Sequence, residues 1–451
     1  MIKHAIRFMM FVFAASLFSY YATEAQTSPV IHIKPETALV DEAISIRVTG
    51  LAPGQTAAIK ATMIDRRGRE WASRAVFTAD RSGVIDVSRQ APTEGSYSRV
   101  DAMGLFWSMD AVAAQATAAS QPRSLLEPQT VKFDLEADGK VIASAALKRL
   151  YTATDVKARD VRDKGLVGRF YEPAGGGAHP AVLVLGGSEG GLQGSEPQAA
   201  LLAAHGYSAL ALAYFGLEGL PKTLELIPLE YLKKGIDWLA AQSAVDRARL
   251  AVTGGSKGGE LALVLGATFP ELRAVVAYVP SGLVWQGIGQ NGEGKGSSWT
   301  YKGAELPYAT PKVSQAFLSQ DFSKAINIGL LYAEGLKDKA AVEKAAIAVE
   351  KINGPVLLIS GRDDQLWPSS LMSEMIIERL KKNNHRFRYE HLAYEGAGHA
   401  IGTSYLPTTR ARSGGRLLMG GTPEGYARAQ ADSWPKVLRF LGESLKKEKG
   451  K

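Results

Sequence analysis

Residues 250–268 read LAVTGGSKGGELALVLGAT, and no other stretch narrows the fold so far. An apolar run, Leu250 to Thr253, enters Gly254-Gly255-Ser256-Lys257-Gly258, and an apolar-periodic helix begins at once. Glycines two places before and two places after a serine suit a sharp strand-to-helix turn. The two backbones approach closely there, and a Cβ would collide. Such a turn lifts Ser256 clear of the edge of a sheet. The helix N-terminus beside it favours developing negative charge. Five residues of this kind arise often by chance; the flanking strand and helix give them weight.

The sequence around this turn supports the same architecture. From about Asp155 onward, apolar runs alternate with helical patterns. Ala181 to Leu185, Ser208 to Ala213, Leu250 to Thr253, Ala274 to Val279, Pro355 to Ser360 and Arg388 to Ala393 read as strands. Gly194 to His205 and Leu229 to Gln242 read as helices. Continuous apolar strands between helices predict a mostly parallel sheet covered on both faces. Residues 285–309 break the pattern with glycine, serine and aromatics, and Leu336 to Ile352 then reads as helical. This insertion is either a lid over the site or a plain surface excursion.

Upstream, the texture changes. Ile31-His32-Ile33, Ile44 to Val48, Ala57 to Ala61, Ala75 to Phe77 and Val131 to Leu135 are short runs, mostly of period two, separated by turns such as Pro53-Gly54 and Ser82-Gly83. They predict an immunoglobulin-like antiparallel β-sandwich. The expected division is a leader over 1–25, a sandwich over 28–150 and a catalytic unit over 155–446.

A serine hydroxyl is a weak nucleophile near neutral pH, so it needs a base, and the base needs an acid to orient it. After the strand ending at Ser360 comes Gly361-Arg362-Asp363-Asp364, in the loop where an orienting acid belongs. Asp364 has the better spacing, three residues past Gly361 and four before Pro368. Asp363 reads as a turn or cap residue. Of the seven histidines, His385, His391 and His399 follow that strand. His399 lies just past the last strand in Gly396-Ala397-Gly398-His399, where a loop can return the imidazole to Ser256. The oxyanion of an acyl intermediate also needs donors. Lys257 N–H follows the nucleophile directly, and a second is expected from Ser188 or Glu189 in Gly186-Gly187-Ser188-Glu189-Gly190-Gly191. That loop lacks the Lys-Ser/Thr ending of a phosphate-binding P-loop.

The chain contains no cysteine, which excludes a thiol nucleophile and any thiolate zinc site. The expected chemistry needs no metal or organic cofactor. The formal charge is +8, but no basic stripe is interleaved with aromatics, so nucleic acid is not an expected partner. Lys3 and Arg7, an apolar run from Phe8 to Phe18, and Thr23-Glu24-Ala25 read as a secretory signal. Cleavage near Ala25 and export, with no lasting membrane span, follow as expectations.

Several segments together resemble one known family. Gly254 to Leu263 is similar to the nucleophile segment of the acyl-CoA thioesterase and bile acid-CoA:amino acid N-acyltransferase family. So are Ala213-Tyr214-Phe215-Gly216 with Gly219 to Lys222, Pro228 to Leu232, and Gly361 to Trp367. Leu39 to Glu42 and Met103 to Met109 resemble its sandwich domain. The resemblance implies an α/β-hydrolase domain behind a β-sandwich, with a Ser256–Asp364–His399 triad cleaving acyl thioesters such as fatty acyl-CoA. It also implies that a serine nucleophile favours water over an amino acid as the acceptor. Two alternatives stand beside it: an exported carboxylesterase or dienelactone-hydrolase-like enzyme using the same triad, and a partner-binding protein with an inert hydrolase domain.

Overall fold

In the computed structural model, residues 28–446 are described apart from 66, 67, 113–123, 125, 291, 293 and 412. The proposed leader therefore lies outside the described residues. The central sheet has eight strands: β1 (Lys157–Val161), β2 (Val167–Glu172), β3 (His179–Leu185), β4 (Ser208–Ala213), β5 (Val245–Gly255), β6 (Leu272–Tyr278), β7 (Val356–Gly361) and β8 (Tyr389–Tyr394). Their spatial order is β1-β2-β4-β3-β5-β6-β7-β8. Only β2 breaks the parallel direction, being antiparallel to both of its neighbours, β1 and β4. This is the α/β-hydrolase topology.

Burial explains the strands. All six residues of β4 and of β7 are buried, as a sheet covered on both faces requires. At the edge, β1 exposes Lys157, Arg159 and Asp160, charges that discourage pairing with another chain. Helices α2 (Leu229–Ala240), α3 (Lys257–Thr268) and α4 (Ser369–Lys382) share one core with the sheet. Helices α1 (Glu196–Ala204) and α5 (Pro423–Ser444) pack on the other face. Among the described residues, no helix is long and apolar enough to cross a membrane.

Residues 30–150 form a sandwich. A sheet of Val30–Lys34, Ser45–Thr49 and Ile85–Asp86 faces a larger one built chiefly from Thr56–Ile64, Glu70–Thr78, Gln129–Ala137 and Lys140–Leu150. Alternate residues point inward, so Ile33, Ile46, Ile59, Phe77 and Phe133 meet in one core. The insertion does not contain the single helix expected over 336–352. It holds two short helices, Gly329–Gly335 and Lys339–Ala345, and a 3₁₀ turn at Val349–Lys351. Asp338 caps the second helix by accepting the Ala341 N–H, so the chain restarts there rather than continuing.

The sandwich is fastened to the catalytic sheet through Asp41. Its Oδ2 lies 2.6 Å from His205 Nε2 and accepts the Trp434 Nε1 proton at 2.6 Å. The hydrogen bond to Asp41 raises the His205 pKa above that of an ordinary imidazole, against the opposing effect of burial. A raised folded-state pKa stabilises the fold fully below the unfolded value of about 6.5, and that stability is lost as pH climbs through the folded value. The Tm advantage of wild type over His205→Asn is therefore expected to be largest near pH 6 and to shrink as the pH rises. Calorimetry across that range measures it, and an advantage that grows with pH would contradict the assignment.

Candidate active site

Ser256 ends the turn between β5 and α3 with φ 57° and ψ −122°, a conformation a side chain rarely adopts. The turn is possible because the neighbouring glycines are needed. A Cβ on Gly254 would strike the Gly258 carbonyl, and one on Gly258 would strike the Gly186 carbonyl. The Ser256 N–H is held by Tyr278 O at 2.9 Å.

His399 follows β8, and its Nδ1 lies 2.9 Å from Asp364 Oδ2. Asp364, in the loop after β7, is itself fully engaged. Its Oδ1 accepts the N–H groups of Leu366 and Trp367 at 3.0 and 3.2 Å, and its Oδ2 accepts the Ser369 hydroxyl at 2.5 Å. An acid held by so many donors is immobile, and its Oδ2 fixes the imidazole with Nδ1 as donor. Trp367 packs edge-on against His399 at 5.8 Å and anchors its own indole N–H on Val279 O at 2.9 Å. The His399 Nε2 is buried and has no hydrogen-bond partner among the described residues. Ser256 and His399 line the same cavity of about 730 Å³.

The competing residues are placed elsewhere. Asp363 is exposed. His391 Nε2 pairs with Ser360 Oγ at 2.7 Å, and His385 Nε2 with Gly354 O at 3.2 Å. Of the residues named for the oxyanion, Lys257 is the first residue of α3, where a backbone N–H has no acceptor within the helix. Glu189 lines the cavity, with its carboxylate turned back to accept the Gly187 N–H at 2.9 Å. Ser188 is exposed and does not line it. The Gly187 backbone comes so close that a Cβ there would lie 3.3 Å from Ser256 Cβ.

Three features of the site are absent from the sequence reading. Ser369 and Trp367 brace the Asp364–His399 pair. The Lys257 side chain runs into the core, 2% exposed, and its Nζ meets Glu260 Oε1 at 2.6 Å. That oxygen also accepts the Trp299 indole N–H at 2.7 Å. Trp299 packs on Tyr214 at 5.8 Å, and the Tyr214 hydroxyl donates to Gly186 O at 2.6 Å. The one sequence signal was a lysine and a glutamate three apart in an otherwise apolar helix. Trp285 and Trp299 of the insertion are thus buried beneath α3, and none of the described residues among 285–309 lines the cavity, as a lid would. Lastly, part of the wall of the cavity that holds Ser256 is supplied by the sandwich, through Met63, Asp65, Arg69 and Trp71.

Comparison with known proteins places this architecture in a family. The acyl-CoA thioester hydrolase/BAAT N-terminal region matches residues 41–163, and the BAAT/acyl-CoA thioester hydrolase C-terminal region matches 227–447. Mouse bile acid-CoA:amino acid N-acyltransferase is 30% identical over 432 residues, covering 91% of this chain and 96% of its own. The chain belongs to the BAAT/acyl-CoA thioester hydrolase family. Mouse mitochondrial acyl-coenzyme A thioesterase 2 is another relative, 28% identical across 94% of this chain and 91% of its own. Human acyl-coenzyme A thioesterase 1 is 28% identical across 90% and 94%. Among solved structures, a hyperthermophilic esterase from the archaeon Pyrobaculum calidifontis matches 64% of this chain and 83% of its own, at 18% identity and TM-score 0.43.

Membership corrects one expectation. Export after cleavage near Ala25 does not stand, because the relatives that span nearly the whole chain are acyl-coenzyme A thioesterases, one of them mitochondrial. The physical reason is that a basic, acid-poor N-terminus is not specific to secretion; organellar transit peptides also carry positive charge and few acids.

Proposed function

We propose that this chain is an acyl-CoA thioester hydrolase working through an acyl-Ser256 intermediate. The observation that carries the proposal is the Asp364–His399 pair, whose unpartnered Nε2 faces the same cavity as Ser256. The reading takes residues 28–150 as the sandwich and 155–446 as the catalytic unit. His399 Nε2 removes the Ser256 proton as Oγ attacks the thioester carbonyl carbon. The oxyanion formed is stabilised by the Lys257 N–H and by an N–H of the loop carrying Ser188 and Glu189. The C–S bond then breaks, and protonated His399 returns its proton to the departing thiolate. Water, deprotonated by the same nitrogen, attacks the acyl ester and releases the carboxylic acid and free Ser256. Throughout, Asp364 holds the imidazole in one tautomer and offsets its transient charge.

His399 Nε2 does not hydrogen-bond Ser256, and catalytic contacts of this kind often close only around substrate. The test sets decanoyl-CoA beside p-nitrophenyl decanoate, following free thiol and nitrophenolate respectively. The thioester is expected to be cleaved with the higher kcat/KM. Cleavage of the ester alone would overturn the thioester assignment while leaving the triad intact.

A further inference from the structure

The cavity above Ser256 has two chemically different walls. The catalytic unit supplies the apolar side chains Leu185, Val279, Ile401 and Leu406 together with Gln193, Gln198 and Thr403, whereas the sandwich supplies the charged pair Asp65 and Arg69 beside Trp71. Among the described residues, Arg69 is the one lysine or arginine on the cavity wall. Its guanidinium is already oriented. Nε and Nη2 both lie 2.8 Å from Asp65 Oδ2, and the Arg69 backbone N–H donates to Asp65 Oδ1 at 3.0 Å. The planar group sits 5.5 Å over the Trp71 ring, and the Trp71 indole N–H is fixed by Asp65 Oδ2 at 3.0 Å. The Asp65 carboxylate is spent on these donors and is largely shielded, with 12% of its side chain exposed against 45% for Arg69.

We infer that Arg69, held by Asp65 and Trp71, is the subsite for a phosphate-bearing leaving group, so that the sandwich reads the thiol half of the substrate. This inference rests on the proposed thioesterase reading. A planar, permanently charged fork matches phosphate oxygens, and an arginine ordered in advance loses little freedom on engaging them. The other acid on the wall, Glu189, has its carboxylate on the Gly187 N–H beside the nucleophile, within the catalytic unit. The apolar side chains of the catalytic unit are left for the acyl chain. A substrate of this kind spans both units, which explains why a hydrolase unit complete in its own triad is walled by a second domain.

The experiment compares wild type and Arg69→Gln on decanoyl-CoA and on p-nitrophenyl decanoate, which shares the acyl chain and carries no phosphate. KM for decanoyl-CoA is expected to rise about tenfold with kcat nearly unchanged, as loss of a charge-assisted contact made equally in ground and transition states requires. Both constants for the ester should stay within about twofold. Adenosine 3′,5′-bisphosphate should compete with decanoyl-CoA in wild type and lose most of that inhibition in the variant. The competition in wild type reads the subsite even where the variant folds poorly. A KM for decanoyl-CoA unchanged by the substitution, or the same loss on both substrates, overturns the inference. Wild type that cleaves the ester and never the thioester overturns the thioesterase reading instead, and the two failures are distinguishable.

Discussion

Ser256→Ala should lower kcat by about 10⁵–10⁶-fold, because the residual rate comes only from substrate binding and the oxyanion donors. The substitution leaves the turn itself unchanged. Alanine has the same strained φ to tolerate as serine, and Gly254 and Gly258 still provide the clearance. The Tm is therefore expected to stay close to that of wild type. His399→Ala should cost about as much, and the double variant little more than either single one, since nucleophile and base act as a unit. Asp364→Asn is expected to cost about 10⁴-fold, because an amide on Nδ1 favours the wrong imidazole tautomer. It also places an NH₂ group among the four donors that now converge on the carboxylate. Asp363→Asn, at an exposed position, should leave the rate within about twofold. Steady-state rates per mole of folded protein make the comparison, with a fluorophosphonate probe counting active sites only in the variants that keep Ser256. Near-normal turnover in Ser256→Ala would remove the nucleophile from the mechanism, and equal losses at Asp363 and Asp364 would remove the orienting acid.

The parts of this molecule that could be read from sequence are those whose causes are local. The strand Ser208–Ala213 is legible to the residue because both its faces are buried and every residue is apolar or small. The elbow at Ser256 is legible because the steric need for Gly254 and Gly258 lies within five residues. Chain order then limits the acid and base to a few candidates after β7. What depends on distant packing is not legible. The edge strand β1 carries charges and exposes four of its five residues, so no apolar run marks it, and the reversed direction of its neighbour β2 has no local signal. Ser369 reaches Asp364 only because α4 starts where it does. The partnership of Glu260 with Trp299 joins residues on a helix and an insertion that has no periodicity of its own. Arg69 stands just before the sandwich strand Glu70–Thr78 and Trp71 lies within it, and only docking of that sheet against the catalytic unit brings them to the cavity that holds Ser256. The expectation of export fails for a related reason: positive charge beside apolar residues does not by itself specify secretion.

The buried Lys257–Glu260 pair supports a second prediction of large effect. Both groups lie in the core, 2% and 0% exposed, where desolvation alone pushes the lysine pKa down and the glutamate pKa up, each opposed by its partner's charge. Removing one partner leaves the other uncompensated, so Glu260→Gln is expected to cost about 3–5 kcal/mol of stability. Glutamine keeps an oxygen for the Trp299 indole N–H, so the loss measures the charge rather than that hydrogen bond. Lys257→Met alone should also destabilise, by stranding the carboxylate. The double variant Lys257→Met/Glu260→Gln removes both charges at nearly constant volume and should recover most of the stability, because a buried pair seldom outperforms well-packed neutral groups. The pair also joins the first turn of α3 to Trp299, and through Tyr214 to the Gly186 carbonyl, so both backbone walls beside Ser256 lean on it. In the single variants kcat should therefore fall along with stability, even when only folded, probe-reactive enzyme is counted. Urea denaturation of the four proteins gives the coupling energy directly. If the two single losses simply add in the double variant, the charges do not depend on each other, and the helix start is held by packing alone.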